Sequence, residues 1–184
     1  EWGTWYDVEE GTNPGFLYQQ NTMRDAIVAG LTLNIFNKHA DRLMMANIAQ
    51  TVNVLQSVIL TDGEKMIKTP TYYVFKMYKE HQENTLVGSY ITTPLVNSPN
   101  DNKDFPQLCE SASVDENGTI YSTITNNSST KSAKIKCQIA DTKVESITAE
   151  ILTGECHQKN DFDNADNVKI VEFTDFRKLK DGFT

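Results

Sequence analysis

Residues 21–50, NTMRDAIVAGLTLNIFNKHADRLMMANIAQ, decide the fold class. In the first part Met23, Ile27, Leu31 and Ile35 recur every four residues, flanked by Ala26, Gly30 and Leu33. That draws one apolar stripe along a helix over 21–39. Thr22 reads as its N-cap, with Asp25 three residues on in a capping-box position. Lys38 and His39 occupy the last turn, where the helix dipole favours cations. Gly30 costs a helix interior roughly 1 kcal/mol relative to Ala, and its presence predicts that a neighbouring backbone comes close. The second part, LMMANIAQ (43–50), is apolar at six of eight positions without strict alternation. This predicts a short parallel strand over 43–49, covered on both faces and ending at polar Gln50. Helix, loop and buried strand form one step of an α/β architecture.

The same grammar continues downstream. In TPTYYVFKMYKEHQ (69–82) Thr69 can cap, Pro70 suits the first helical position, and Val74, Met77 and Tyr78 share a face beside Phe75. Between strand and helix, VLQSVILTDGEKMIK (54–68) breaks at Asp62-Gly63, which predicts a short extended excursion. From about residue 84 the period changes. NSPNDNKDFP (97–106) reads as a polar loop. SASVDENGTIYSTITNN (111–127) has the shape of a hairpin turning at Asn117-Gly118. AKIKCQIAD (133–141) alternates, and VESITAEIL (144–152) and NVKIVEF (167–173) are further strand candidates. Short strands with closely spaced turn signals predict a β-sandwich. The chain therefore divides into an α/β part, 1–83, and an all-β part, 84–184.

Charge and composition narrow the function classes. Over 184 residues, 25 acids against 17 bases leave a net charge of −8, so no basic field is available for nucleic acid. No apolar run approaches the roughly 20 residues of a membrane helix. Cys109, Cys137 and Cys156 are widely and irregularly spaced. They fit no zinc motif or disulfide framework and read as buried or half-buried free thiols. His39, His81 and His157 show no ligand spacing, so neither a metal nor a cofactor is expected. Asn117, Asn126 and Asn127 match the glycosylation sequon, but turn chemistry accounts for all three.

The chemically interesting residues stand first, in EWGTWYDVE (1–9). By composition alone Glu1 reads as a solvated terminal residue, and Trp2 and Trp5 as core. Against that, a carboxylate at the C-terminal end of a barrel strand is where barrel enzymes place catalytic groups, and indole rings stack on sugar faces. Together with NPGFLYQQNT (13–22), FNKHADR (36–42) and MANIAQTVNVLQ (45–56), this segment resembles the C-terminal stretch of the α-L-arabinofuranosidases of glycoside hydrolase family 51. The likeness is dense over 1–82. Beyond 83 it thins to sandwich character and the segments SAS (111–113) and ILTG (151–154).

The resemblance implies a fold, α/β plus all-β, in which the last βα units of a (β/α)8 barrel are followed by a jelly-roll β-sandwich. It implies Glu1 as catalytic nucleophile at the end of the seventh strand, Trp5 as a wall of the arabinose pocket, and Gln50 as a sugar-contacting amide at the end of the eighth. The implied partner is an arabinose-containing oligo- or polysaccharide, and the implied assembly of the parent is a homo-oligomer. The family's acid/base Gly-Asn-Glu motif does not occur in this sequence. The expectation is therefore a C-terminal piece of a retaining exo-acting enzyme, inactive by itself. Two other readings concern 84–184. The all-β part could bind polysaccharide through Tyr121, Phe162, Phe173 and Phe176, or it could only cover the barrel and contribute to assembly contacts.

Overall fold

Thr22 and Asp25 set the first helix. Thr22 is extended (φ −130°, ψ −178°) ahead of α1, Met23–Lys38. Its backbone N–H donates to Asp25 Oδ2 at 2.8 Å. The next two amide hydrogens, which a helix cannot satisfy internally, go to the far end of the chain. Met23 N donates to Gln158 O and Arg24 N to Cys156 O, each at 2.9 Å. The computed structural model describes residues 1–98 and 103–184.

The predicted stripe on α1 faces the core through Met23, Ala26, Ile27, Gly30 and Leu33, but its far end turns outward. Met23, Ala26, Ala29, Gly30 and Asn34 are buried, whereas Ile35 is 50% exposed. Small residues at 26, 29 and 30 let two neighbours approach at once, and that outweighs a stripe of larger side chains. At Gly30 the close neighbour is a side chain and not a backbone. A Cβ there would stand 2.7 Å from Thr125 Oγ1.

Residues 43–49 also depart from expectation. They form no ladder, only one parallel bridge between Ile48 and Trp2, and Met44 and Met45 are 90% and 76% exposed. A parallel strand buried on both faces needs helices or strands over each face, and no described element covers Met44 or Met45. Beyond this segment, β1 (Ile59–Asp62) and β2 (Lys65–Lys68) form the anticipated excursion, antiparallel with Asp62 opposite Lys65. Gly63 takes the positive φ of the turn, 56°. The second helix, α2, spans Pro70–Tyr78 with Thr69 as cap and continues as a 3-10 turn through His81. Trp2 lies between the two helices, edge-on to Phe36 (5.5 Å) and stacked on Phe75 (6.1 Å). Met23, Ala26, Ala29, Val74 and Val168 form the core cluster beside it.

After residue 84 the described residues hold strands and no helix. β3 (Thr85–Val87) is followed by β4 (Leu95–Asn97) and β5 (Asp104–Pro106), which pair across the stretch read as a loop. Of that stretch, 99–102 lie outside the described residues. β6 (Leu108–Val114) and β7 (Ile120–Asn126) make the expected hairpin, with Val114 opposite Ile120 and β3 on its other edge. Gly118 sits at φ +83°, and Asp115 Oδ1 accepts from the Asn117 and Thr119 amides. The later alternating segments keep only short pairings. β8 (Cys137–Gln138) pairs with β11 (Gly182–Phe183), and β9 (Glu150–Ile151) with β10 (Val171–Glu172). Cys109 and Cys137 are half-buried, as the reading had them, but Cys156 is exposed.

Helices and hairpin meet across a polar seam. Asn34 Nδ2 donates to Cys109 O at 2.9 Å, while Asn34 Oδ1 accepts from Ser111 and Thr123 hydroxyls at 2.8 Å each. Lys38 Nζ reaches Glu110 at 2.7 Å, and the Tyr78 hydroxyl donates to Gly30 O at 2.8 Å. Burial pushes that phenol up to about 12. His81 closes the seam, with Nδ1 at 2.8 Å from Ser113 Oγ and Nε2 at 3.0 Å from Thr123 Oγ1. Because the Thr123 hydroxyl donates to Asn34, it accepts from His81, which fixes the proton on Nε2.

Burial lowers the His81 pKa, with the neighbouring Glu80 carboxylate pulling the other way. The unfolded chain therefore takes up this proton first as pH falls. The stabilisation is complete above about 6.5, the unfolded value, and is lost as pH drops from there toward the folded value. His81→Gln is expected to flatten the fall in unfolding free energy between pH 7 and pH 5, reducing its slope by the linkage of at most about one proton. Urea titrations at fixed pH read this directly.

Candidate functional site

The first nine residues alternate strictly. Trp2, Thr4, Tyr6 and Val8 turn inward, and Glu1, Gly3, Trp5, Asp7 and Glu9 are exposed. That is the period of a strand, yet strand pairing is confined to the Trp2–Ile48 bridge. Trp2 N donates to Asn47 O and Ala49 N to Trp2 O, both at 2.9 Å. Glu1 lies one residue before this bridge and Gln50 two residues after it, so the two stand on paired segments. Trp5 shares the outward face of Glu1 and is 68% exposed. Gly3 separates them with φ +145°, and a Cβ there would stand 3.1 Å from Ala49 O. A larger residue would strain its backbone and push the Gln50 segment away.

Past the bridge, side-chain amides replace a neighbouring strand. Thr4 N donates to Gln56 Oε1 and Tyr6 N to Gln19 Oε1, each at 2.8 Å. The Thr4 hydroxyl donates to Asp25 Oδ1 at 2.7 Å, so the carboxylate that caps α1 also anchors this segment. Gln56 Nε2 donates to Asp25 O at 2.8 Å and to Thr71 Oγ1 at 3.3 Å. Arg24 lies over the Tyr6 ring, 3.5 Å from its centroid. Burial raises the Tyr6 phenol pKa and Arg24 partly offsets it.

The sequence reading picked out Glu1, Trp5 and Gln50. Gln19 and Gln56 carry no role in that reading and Asp25 only a helix-capping one, yet all three hold the segment that bears Glu1 and Trp5. Gln56 does carry a signal, since it is the one strongly polar side chain in the apolar run 54–60. Among the described residues no group of three or more His, Cys, Asp or Glu could hold a metal ion, and no helix is long and apolar enough to cross a membrane. An exposed carboxylate, with an indole further along its own segment and an amide on the paired one, can supply a nucleophile and a sugar-binding surface. It cannot also protonate a leaving group, which takes a second carboxyl.

Comparison with known proteins bears on this arrangement. Residues 1–184 match the family described as the alpha-L-arabinofuranosidase C-terminal domain. An intracellular exo-alpha-L-arabinofuranosidase of Bacteroides ovatus is 45% identical over 180 residues, covering 98% of this chain and 34% of that protein. The chain thus spans about a third of the length of that curated relative. The GH51 arabinofuranosidase structure from Xanthomonas axonopodis pv. citri superposes with a TM-score of 0.94 at 40% identity, over 99% of this chain and 37% of that one. The alpha-L-arabinofuranosidase of Thermotoga maritima, in its arabinose complex, superposes at 0.80 with 24% identity over 94% of this chain and 37% of that one, a likeness of fold.

Proposed function

Because the chain belongs to the alpha-L-arabinofuranosidase C-terminal domain family, we propose that it is the C-terminal third of a retaining, exo-acting α-L-arabinofuranosidase. Residues 1–83 then close a (β/α)8 barrel, and 84–184 form a jelly-roll sandwich beside it. Glu1 attacks the anomeric carbon of a terminal arabinofuranosyl unit. Trp5 walls the sugar from water, and Gln50 hydrogen-bonds it near the reacting centre. The acid/base that protonates the leaving oxygen comes from the longer protein, about 5 Å from Glu1 as a retaining mechanism requires. The exposed faces of Met44 and Met45 are where earlier barrel strands would pack.

The observation that carries this reading is the Trp2–Ile48 parallel bridge. It sets a carboxylate-bearing segment beside an amide-bearing one, with Trp2 packed back onto both helices. Strands of a (β/α)8 barrel stand in that relation, and their C-terminal ends carry the active site. The covering role suits 84–184 better than sugar binding, because Tyr121, Phe162, Phe173 and Phe176 are all half-buried and do not offer their ring faces freely to a sugar. Assembly of the longer protein as a homo-oligomer accompanies this role.

The test is proton NMR of the first-formed sugar when the full-length protein cleaves an aryl α-L-arabinofuranoside. Release with the α configuration is expected, whereas first-formed β product would exclude the double displacement. Purified 1–184 alone is expected to release no aryl alcohol above the buffer rate.

A further inference from the structure

The Gln56 amide sits where the segment bearing Glu1 and Trp5 meets the segment bearing Gln50, and it is fully buried. Oε1 accepts from Thr4 N at 2.8 Å, Nε2 donates to Asp25 O at 2.8 Å and to Thr71 Oγ1 at 3.3 Å, and the backbone N–H of Gln56 donates to Ala49 O at 3.2 Å. A backbone N–H can only donate and a carbonyl can only accept, so the amide has a single workable orientation. One residue thereby ties together both candidate site segments, α1 and α2.

We propose that Gln56 is a positioning residue of the sugar-cleaving site, holding Glu1 and Trp5 in register with Gln50. The proposal rests on the reading of Glu1 as nucleophile. The Glu1–Trp5 segment is paired through its backbone only at Trp2, so its direction beyond that point depends on what Thr4 bonds to. Asp25 takes the Thr4 hydroxyl and Gln19 Nε2 reaches its carbonyl, while Gln56 takes its backbone N–H from a rigid anchor, since its Nε2 partners belong to the first turns of two helices. The close approach at Gly3, whose Cβ position lies 3.5 Å from Gln56 Oε1, shows how little room the three segments leave for adjustment. Buried as it is, Gln56 acts on the sugar only through Glu1, Trp5 and Gln50.

The experiment compares Gln56→Met, Gln56→Asn and Gln56→Glu in the full-length enzyme on an aryl α-L-arabinofuranoside, with rates expressed per folded molecule. Met fills the volume without an acceptor for Thr4, and Asn falls one methylene short. In each, kcat is expected to fall roughly 10- to 100-fold, the scale of a small misplacement of reacting groups, with KM changing less. Asn serves alone if the Met variant does not fold. Glu keeps the acceptor and, while protonated, a donor for Asp25 O. It is expected to recover most of kcat at low pH and to lose it as pH rises through its burial-raised pKa, as a loss additional to the one wild type shows over the same range.

A lowered melting temperature with kcat per folded molecule unchanged in Met or Asn would overturn the positioning role. So would a Glu variant whose pH profile matches wild type. Glu1→Ala, run alongside, separates the two claims. If it retains turnover, the nucleophile reading fails. If it is inactive while the Gln56 variants are unimpaired, only the positioning role fails.

Discussion

Glu1→Ala in the full-length enzyme is expected to lower kcat on an aryl α-L-arabinofuranoside by about 10⁴-fold or more, equivalent to about 5 kcal/mol of lost transition-state stabilisation. The size follows from the chemistry. A retaining glycosidase divides one displacement into two by forming a bond from a carboxylate to the anomeric carbon, and without that carboxylate neither half proceeds. Structural collapse would not be the cause, because Glu1 is exposed and the bridge beside it is made by the Trp2 backbone. The unfolding midpoint is therefore expected to stay put while turnover disappears. Azide supplies a second readout. The small anion can occupy the space the side chain leaves and attack the anomeric carbon, while the acid/base still protonates the departing aryl oxygen. The expected product is the β-configured arabinofuranosyl azide. Near-normal turnover by Glu1→Ala without azide, or an azide product of α configuration, would remove Glu1 from the nucleophile role.

What the sequence revealed and what it hid divide along the range of the interactions. The Thr22–Asp25 capping box, Pro70 behind the Thr69 cap, the Asp62-Gly63 turn and the Asn117-Gly118 turn were all legible, because each satisfies backbone groups within a few residues of itself. Residues 43–49 misled for the opposite reason. Apolar composition reports what a segment would bury, and Met44 and Met45 find nothing among the described residues to bury them. The stripe on α1 held at Met23, Ala26, Ile27, Gly30 and Leu33 and missed at Ile35. Periodicity favours large apolar side chains, but the face is chosen by how closely α2, β6 and β7 can approach, and Ala26, Ala29 and Gly30 permit the closest contact. Of the candidate site, Glu1, Trp5 and Gln50 come as candidates from a family likeness. Its supports do not, because the partners of Gln56 lie 15, 31 and 52 residues away in sequence. Asn34 shows the same blindness, with partners 75 to 91 residues distant.

Asn34 also carries the largest expected effect on stability. It is fully buried, and its amide orientation is fixed by the carbonyl of Cys109, which can only accept. Asn34→Ala removes every bond it makes, but the losses are unequal. Ser111 and Thr123 stand 3.1 Å apart and can turn their hydroxyls toward each other, while Ser111 still accepts from Asn37 Nδ2. The Cys109 carbonyl loses its side-chain partner, and a small cavity opens between α1 and the hairpin. An unsatisfied buried polar group costs about 1–3 kcal/mol, and with the cavity the expected loss is about 3 kcal/mol. In a chain of this size that corresponds to a fall in melting temperature of roughly 6–12 °C. Asn34→Asp is expected to be worse than Ala despite its matching shape. It places a carboxylate oxygen against the Cys109 carbonyl in a seam where Lys38 is already paired with Glu110, so the charge is poorly compensated or the group is forced to protonate. Its deficit should therefore shrink as pH falls, the reverse of the His81 trend. Urea unfolding of both variants at pH 5 and pH 8 separates these outcomes. An Asp variant as stable as wild type at pH 8 would show that the seam is open to water and that its hydrogen bonds do not hold the helices to the sheet.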